Sequence, residues 1–358
     1  MPTEKPKPTI YDVAVATGAS PSTVSAALSG AWKRRRISVD TVNRIQAAAA
    51  KIGYSANLQA RGLRKSRSGL VGMILPVHEN RFFASMSQSF EAYARERGLC
   101  PVIASTLRDP QEEIRTVETL ISYAVDSLFI AGAANPDALS EICEAAKVPH
   151  IYVDLPGKNA PSVVSHNYHG ARQLSQVIVD NMPPRIDPAR AKPYFIGGLT
   201  TNFASARRIA AFRSVVYETF GSISDEQVIA CGYAPGQTAR ELAALCDRLG
   251  GLPAGLIVNS LTAFEGALSY FVDLPAEAFK HSVIGCYDYD PFGAFLQFPV
   301  HMVRQNSDKL IQTAFELIDS KITDPVLIEI EPDLIPPRTI YKGRFTELGR
   351  RRHHELLQ

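Results

Sequence analysis

Residues 9–29, TIYDVAVATGASPSTVSAALS, decide how the amino-terminal region folds. Thr9 and Asp12 have the spacing of a capping box, in which two side chains satisfy the backbone N–H groups at a helix start. The first helix should end near Gly18, since glycine readily adopts the left-handed conformation of a tight turn. Ser20 is then placed to cap the next helix. The stretch therefore predicts two short helices joined by a glycine turn.

The second predicted helix, residues 21–29, has one apolar face and one face of small side chains. Pro21 suits its first position, where a missing N–H group costs nothing. Val24, Ala27 and Leu28 share the packing face. Small side chains on the opposite face would let the helix lie close to the bases and phosphates of a DNA major groove. The side chains expected to face outward are those of Ser22, Thr23, Ser25 and Ala26.

A third helix and a basic loop complete this region. The helix should begin after Ser38, with Asp40 in its first turn, and carry an apolar stripe that includes Ile45 and Ile52. The loop before it contains Lys33–Arg36, four consecutive cations that would lie close to a phosphate backbone. Three short helices with a glycine turn also fit a plain helical bundle, and spacing alone does not separate the two interpretations.

Charge is distributed unevenly along the chain. The 358 residues carry a net charge of +2, but residues 1–69 hold 12 Lys/Arg against three Asp/Glu, which leaves the other 289 residues near −7. This asymmetry indicates a nucleic-acid-facing arm on an acidic body that would not bind a polyanion by itself. A solvated basic tail is the alternative interpretation.

From Leu70 onward, short apolar runs alternate with amphipathic stretches. Continuous apolar runs predict strands buried on both faces, so the expected fold is a set of parallel sheets covered by helices. The pattern by itself also fits a doubly wound enzyme. The expected strands are 70–76, 101–105, 126–131, 149–154, 193–198, 255–259 and 282–286, and the expected helices are 82–98, 111–123, 168–180, 203–220, 234–249 and 307–320.

A resemblance to the lactose-repressor (LacI/GalR) family of bacterial transcription regulators is carried by two segments, DVAVATGASPSTVSAALSG (12–30) and RRISVDTVNRIQAAAAKIGYSANLQARGLRKSRSGLVGMILP (35–76). It implies a small all-α helix-turn-helix DNA-binding domain with a hinge helix, followed by an α/β two-lobed domain like periplasmic sugar-binding proteins. The expected divisions are the DNA-binding domain over 1–56, the hinge helix and linker over 57–67, an effector-binding and dimerisation domain over 68–341, and a basic, flexible tail over 342–358.

In this family the hinge helix orders on operator DNA and its leucine wedges into the minor groove, and the matching residue here is Leu63. Such a wedge unstacks base pairs, and the bent duplex then contacts more protein. A buried linker leucine is the alternative. Ala26 and Pro21 depart from the family at positions that read bases, so no relative's operator sequence applies. The residues assigned to DNA are Ile10, Tyr11, Ser20, Pro21, Ser22, Thr23, Ser25, Ala26, Arg34, Arg35, Thr41, Tyr54, Asn57, Ala60, Arg61 and Leu63.

Ligands in two-lobed folds of this kind bind beyond the carboxyl ends of the strands, in the cleft between the lobes. The resemblance places an effector-contacting arginine at Arg208 and a hydroxyl-binding aspartate at Asp288. Several of these residues have an alternative interpretation. Arg208 also fits an ion pair on the surface, Asp288 also fits a helix cap, and Phe82 and Phe83 also fit positions in the hydrophobic core. The residues expected to contact the effector are Asn80, Phe82, Phe83, Asp154, Arg208, Asn259, Asp288 and Gln305.

The chemical class of the effector stays open at this point. The family implies a small sugar or sugar derivative. Arg208, its neighbour Arg207 and Arg81, which stands where the family has proline, suit a phosphorylated or acidic sugar. Neutral sugars bind similar sites, so the sequence does not choose between them.

Other function classes lack their motifs. The five cysteines are widely spaced and the histidines have no metal-ligand spacing, so neither a metal nor a cofactor is expected. No phosphate loop, nucleophile elbow or His-Glu-x-x-His motif indicates an enzyme. No signal peptide or membrane span is visible, which favours a cytoplasmic, nucleoid-associated protein.

Together these features predict a non-enzymatic repressor that binds double-stranded operator DNA as a homodimer. A tetramer is not expected, because residues 347–358 are too short and too charged for two heptads of a coiled coil. The alternatives are a solute-binding protein that feeds a transporter and a sugar-converting enzyme with an accessory DNA-binding head.

Overall fold

The computed structural model describes residues 8–54, 67–184 and 187–341. The chain divides into two compact units, residues 1–69 and residues 70–358. Each unit has its own hydrophobic core, so the two are described separately.

Three helices build the first unit, and their bounds follow local signals in the sequence. They are α1 Ile10–Thr17, α2 Pro21–Leu28 and α3 Val39–Lys51. The N–H of Thr9 donates to Asp12 Oδ2 at 2.7 Å, and the N–H of Thr23 donates to Ser20 Oγ at 3.2 Å. Both predicted caps are therefore confirmed. The helices enclose a core that includes Val13, Val24, Val42 and Ile45.

The second unit contains two six-stranded sheets, each the centre of one lobe. The first lobe holds β1 Leu70–Leu75, β2 Cys100–Ser105, β3 Ser127–Ala131, β4 His150–Val153, β5 Ser162–Ser165 and β11 Leu327–Ile330. Their order is β11-β5-β4-β3-β1-β2, and every pair is parallel.

The second lobe repeats this arrangement with one reversed strand. It holds β6 Pro193–Ile196, β7 Val228–Ile229, β8 Gly255–Val258, β9 Val283–Tyr287, β10 Val300–Arg304 and β12 Asp333–Ile335. The order is β12-β10-β9-β8-β6-β7, with β12 antiparallel to β10.

Helices cover both faces of each sheet. They are α4 Arg81–Glu96, α5 Pro110–Ser122, α6 Pro136–Ala145, α7 Asn167–Asp180, α8 Phe203–Phe220, α9 Pro235–Leu249, α10 Leu261–Phe271 and α11 Ser307–Asp319. Two apolar clusters flank the first sheet and two flank the second. Parallel strands need this double cover because both of their faces are apolar.

The chain crosses between the lobes three times. It crosses after β5, since α7 packs in the core of the second lobe. It returns between β10 and α11, because α11 packs in the first lobe, and it crosses again between β11 and β12. These crossings place residues 166, 305–306 and 331–332 between the lobes.

The predicted strands and helices from residue 70 onward are all present, with small shifts at their ends. Missing from the prediction are α6, α10 and the strands β5, β7, β10, β11 and β12.

Candidate functional site

The outward face of α2 carries small hydroxyl side chains. Pro21 and Ser22 are exposed, and Thr23 and Ser25 are half-buried. Ser20 Oγ lies 2.9 Å from Ser22 Oγ and 2.8 Å from Thr23 Oγ1, so the capping serine also orders the first turn. No charged or aromatic residue belongs to α2, which leaves the helix free to lie close to a groove floor.

Ala26 does not face outward as predicted, because it is only 4 % exposed. At 100° per residue, position 26 lies 100° from Ala27 and 160° from Val24, away from the face that these two residues define. A single methyl group has little surface of its own, and the folded unit covers it. The expectation of an outward-facing Ala26 is therefore wrong, and the hydroxyls of α2 are the better candidates for contact.

Some of the remaining residues assigned to DNA lie within the described ranges, and four lie outside them. Tyr11 is 67 % exposed, whereas Ile10 and Tyr54 pack partly against the core of the first unit. Thr41 Oγ1 lies 2.9 Å from Ser38 Oγ at the start of α3. The residues that lie outside the described ranges, and whose contacts stay predictions, are Asn57, Ala60, Arg61 and Leu63.

The basic loop before α3 is an ordered turn. The N–H groups of Arg35 and Ile37 donate to Ala31 O at 3.2 Å and Trp32 O at 3.0 Å. Trp32 packs partly against the core of the unit and anchors the loop. The exposed cations of this loop are Lys33, Arg34, Arg35 and Arg36.

In the second unit, polar side chains from both lobes meet between the sheets. Asp154 follows β4 in the first lobe, and Asp288 follows β9 in the second. Five of the eight residues expected to contact an effector belong to this group, which we call the cleft cluster. Its members, all less than 10 % exposed, are Asp154, Asn167, Arg208, Asn259, Tyr287, Asp288 and Gln305.

Arg208 is the centre of the cleft cluster. Its Nε donates to Asn167 Oδ1 at 2.8 Å, and its Nη1 donates to Asn259 O at 2.7 Å. The guanidinium carbon lies 3.7 Å from the centre of the Tyr287 ring. Because Arg208 is buried and held by three neighbours, the alternative of a surface ion pair is wrong.

Asp288 is fixed from two sides. Gln305 Nε2 donates to Asp288 Oδ1, and the N–H of Leu261, the first residue of α10, donates to Oδ2 at 3.3 Å. The backbone φ is 94° at Asp288 and 74° at Asp154. Non-glycine residues rarely adopt this region, and such strain concentrates where the fold holds a functional side chain in place.

Burial changes the acidity of both aspartates. It raises the pKa of Asp154 to about 6, and the nearby positive charge of Arg208 opposes this rise. Burial also raises the pKa of Asp288, again opposed by Arg208 and by the hydrogen bond from Gln305. The two carboxylates therefore depend on Arg208 to stay ionised near neutral pH.

Several polar atoms of the cleft cluster are buried without a hydrogen-bond partner among the described residues. They are Asn259 Oδ1, Asn259 Nδ2, Gln305 Oε1 and the Tyr287 hydroxyl. A buried polar group left unpaired costs about 1–3 kcal/mol, so such groups are uncommon in folded proteins. Their concentration in one cleft indicates a place for a ligand with several hydrogen-bonding groups.

The other three residues expected to contact the effector are not members of the cleft cluster. They are Asn80, Phe82 and Phe83. Asn80 Oδ1 accepts from the N–H of Phe82 at 2.8 Å and caps α4, while its Nδ2 donates across the cleft to Thr262 Oγ1 at 3.3 Å. Phe82 and Phe83 are 8 % and 4 % exposed and pack in the first-lobe core, as the alternative interpretation held. Their contact with an effector stays a prediction.

Three residues near the site were not assigned to it from the sequence. Asn167 and Tyr287 hold Arg208, and Arg108 extends from the first lobe so that its guanidinium carbon lies 5.2 Å from the Tyr233 ring. Tyr287 directly precedes Asp288 and Asn167 starts α7, so both adjoin signals that were recognised. Arg108 follows β2 after a short loop and gives no comparable signal.

The described ranges contain neither a cluster of metal-ligating side chains nor a membrane-spanning helix. Over residues 8–54, 67–184 and 187–341, no group of three or more His, Cys, Asp or Glu side chains is placed to hold a metal ion. No helix in these ranges has the length and apolar character needed to span a membrane.

Family models match both units. Residues 9–57 match the model of bacterial regulatory proteins of the lacI family, and residues 71–294 match a periplasmic binding protein domain. These matches confirm the predicted fold class, a helix-turn-helix domain followed by a two-sheet α/β domain.

Curated relatives and solved structures agree with these matches. The chain is 44 % identical to the ribitol operon repressor of Klebsiella aerogenes over 205 residues, which covers 57 % of this chain and 76 % of the relative. It is 29 % identical to the sucrose operon repressor of Klebsiella pneumoniae, over 88 % of this chain and 92 % of the relative. The lac repressor dimer bound to operator and the anti-inducer ONPF superposes with a TM-score of 0.75 at 18 % identity, over 93 % of this chain and 98 % of that one. The chain therefore belongs to the lacI family of bacterial regulatory proteins.

Proposed function

We propose that this DNA-binding transcriptional regulator is a repressor that binds a pseudo-palindromic operator as a homodimer and is controlled by a small sugar-like effector. The regulator acts in the cytoplasm, on chromosomal DNA, and does not convert its effector. The observation that carries the proposal is the cleft cluster, where buried and unpaired polar atoms from Asn259, Gln305 and Tyr287 surround a fixed arginine.

The effector binds in the cleft cluster and changes operator affinity through its preference for one lobe arrangement. Two contacts join the lobes across the cleft and would have to break if it opened: Asn80 Nδ2 to Thr262 Oγ1 at 3.3 Å and the ion pair of Arg81 Nε with Asp290 Oδ2 at 2.6 Å. A ligand shifts such an equilibrium only by its differential affinity for the two states. Coupling of about 1–3 kcal/mol changes operator affinity roughly 5- to 150-fold.

The first unit reads DNA with α2. The hydroxyls of Ser22, Thr23 and Ser25 contact bases and phosphates in the major groove, and Tyr11 and the basic loop contact the backbone. Leu63 enters the minor groove at the operator centre, with Ala60 and Arg61 beside it, and Asn57 also contacts DNA. Support comes from the lack of bulky side chains on α2 and from the exposure of the loop cations.

A homodimer supplies two such units to the two half-sites. Two exposed aromatic side chains suit its interface, since Phe292 and Phe295 are 70 % and 69 % exposed on the short helix Pro291–Phe295. Large exposed aromatic side chains are typical of protein interfaces. Phe292 lines a groove of about 860 Å³ between α4 and α10.

The experiment is selection of binding sites from random duplex DNA with the full chain at fixed salt. The proposal predicts enrichment of a two-fold symmetric site with a constant central step, and weaker enrichment with Leu63→Ala. No enriched site, with or without a mixture of sugars and sugar alcohols, would contradict it.

A further inference from the structure

The relatives leave the charge of the effector open. One is a ribitol operon repressor, and a regulator from Pseudomonas putida, 23 % identical with a TM-score of 0.66, was solved with fructose 1-phosphate. The choice between an uncharged and a phosphorylated effector therefore depends on the charges of this chain's own cleft.

The buried charges of the cleft cluster do not favour an anion. Asp154, Asp288 and Arg208 are 9 %, 5 % and 4 % exposed, so two carboxylates and one guanidinium give a formal charge of −1. Both carboxylates are held by strained backbone, which fixes them in the cleft. A phosphate group placed there would face two negative charges in a poorly solvated space.

The guanidinium of Arg208 is already occupied by protein groups. Two of its nitrogens donate to Asn167 Oδ1 and Asn259 O, and its face lies on the Tyr287 ring. The bond from Nε closes the fork that Nε and Nη2 would present to a phosphate. Three of the five guanidinium N–H groups, on Nη1 and Nη2, remain to donate to hydroxyl groups of a ligand.

The other arginines that suggested a phosphate are engaged outside the cluster. Arg81 Nε pairs with Asp290 Oδ2 at 2.6 Å, and the Arg207 guanidinium lies 5.5 Å from the Phe203 ring on the exposed side of α8. Arg108, which was not assigned such a role from the sequence, is exposed and lies between the rings of Phe83 and Tyr233, at 6.0 and 5.2 Å, where its positive charge lowers the pKa of Asp154. None of these three is buried with the cluster.

The unpaired atoms fit hydroxyl groups instead. Asn259 offers a donor and an acceptor, Gln305 offers Oε1 as an acceptor, and the two carboxylates accept further hydrogen bonds. A hydroxyl group both donates and accepts, whereas an ionised phosphate oxygen only accepts. Adjacent hydroxyls would satisfy the carboxylates, Asn259 and Gln305 together.

We propose that the effector is an uncharged polyhydroxy compound, a sugar alcohol or neutral sugar with adjacent hydroxyl groups, and that the cleft rejects its phosphate esters. This inference rests on the proposed function, because it specifies the ligand of the same cleft. Asp154 and Asp288 are the residues that exclude the ester.

The test is calorimetric titration of the full-length protein with neutral pentitols, hexitols, pentoses, hexoses and disaccharides, each paired with its available phosphate ester. We expect at least one neutral compound to bind, with its ester bound at least about 100-fold more weakly. An ester that binds as tightly as its parent, or a panel without a neutral ligand, overturns the proposal.

Variants of Asp154 and Asp288 test whether their carboxylates bind the neutral ligand and exclude its phosphate ester. Asp288→Asn should weaken the neutral ligand by about 10- to 100-fold, and Asp154→Asn should reduce the discrimination against the ester. The control is Glu218→Gln, since Glu218 is exposed and pairs with Arg172 on the surface. Circular dichroism checks the fold of each variant, and unchanged selectivity in both folded aspartate variants would overturn the assignment.

Operator binding separates this inference from the proposed function. If the protein binds a selected operator and a phosphate ester releases it, the charge inference is wrong and the regulator function stands. If the protein enriches no DNA site, the function itself is wrong.

Discussion

Replacing Arg208 by methionine tests the charge balance of the cleft cluster. Methionine keeps much of the side-chain volume but removes the positive charge and the hydrogen bonds to Asn167 Oδ1 and Asn259 O. It leaves Asp154 and Asp288 buried without a buried cation beside them. The two lost hydrogen bonds have a charged donor, and each such bond contributes about 1.5–3 kcal/mol. The two buried carboxylates also lose a nearby counter-charge.

The pH dependence of this loss has a defined sign. The pKa of Asp154 is raised from 3.8 to about 6 in the folded protein, which corresponds to about 3 kcal/mol. A carboxyl whose folded pKa is raised stabilises the fold below its unfolded pKa, and this stabilisation is lost as pH rises through the folded pKa. Because Arg208 opposes the rise, its removal raises the folded pKa further. The part of the difference between wild type and Arg208→Met that comes from Asp154 is therefore absent near pH 4 and grows up to pH 7 and above. The part that comes from the two lost hydrogen bonds is the same at every pH.

Urea unfolding of both proteins at pH 4.5 and 7.5 measures this difference. At pH 7.5 we expect Arg208→Met to lose about 3–5 kcal/mol, with a melting temperature lower by about 6–12 °C. Arg207→Met is the matched control, because Arg207 is the exposed neighbour on the same helix and should change stability by less than about 0.5 kcal/mol. A loss below 1 kcal/mol, or an equal loss at both pH values, would refute the role of Arg208 as the counter-charge.

Four other changes have definite expected results. Ser20→Ala removes the α2 cap and should lower unfolding stability by about 1 kcal/mol, measured by thermal melting. Neutralising Lys33–Arg36 should reduce the salt slope of operator binding by up to about 3–4, measured by anisotropy across salt concentrations. Phe292→Asp should shift the protein from dimer to monomer in sedimentation at micromolar concentration. Gly266→Ala should lower stability by more than about 2 kcal/mol, because its Cβ would lie 2.1 Å from a backbone carbonyl of α9, whereas Gly236→Ala meets nothing closer than 3.7 Å.

Each of these predictions has a result that contradicts it. An unchanged melting temperature for Ser20→Ala would mean that the cap does not stabilise α2. An unchanged salt slope would place the basic loop away from phosphates, and an unchanged sedimentation coefficient would remove Phe292 from the dimer interface. Equal stability of the two glycine variants would contradict the close packing of α9 against α10.

Local signals in the sequence were sufficient for the helices of the first unit. The caps at Thr9 and Ser20 depend on residues three positions away, so spacing alone predicts them. Helix spacing places Ala26 away from the packing face, yet the side chain is buried, because its exposure depends on the fold around α2 and not on spacing within the helix.

Strands were predictable where a long apolar run marks them, as at β1 and β3. The missed strands β5 and β11 have four residues each and pair with one another across 165 residues of chain, from Ser162 to Leu327. Such pairing is set by distant parts of the chain rather than by local pattern.

The cleft was predictable in five of its seven members and not in Asn167 and Tyr287. Asp154 and Asp288 stand directly after apolar runs, so their place at strand ends follows from the sequence. The neighbours of Arg208 come from elements separated by tens of residues, such as Asn167 and Tyr287. The contacts of Asn167 and Tyr287 with Arg208, and the hydrogen bonds that its guanidinium makes, can be identified only in the folded structure.

Control of operator binding by a neutral effector is measured by the anisotropy of a labelled, selected operator titrated with the full-length protein, at fixed salt, with and without a saturating neutral polyol. We expect the polyol to change operator affinity roughly 5- to 150-fold, and Asp288→Asn to show a smaller response at the same polyol concentration. An operator affinity that no neutral polyol changes, or an equal response from wild type and Asp288→Asn, would contradict control by a neutral effector bound in the cleft cluster.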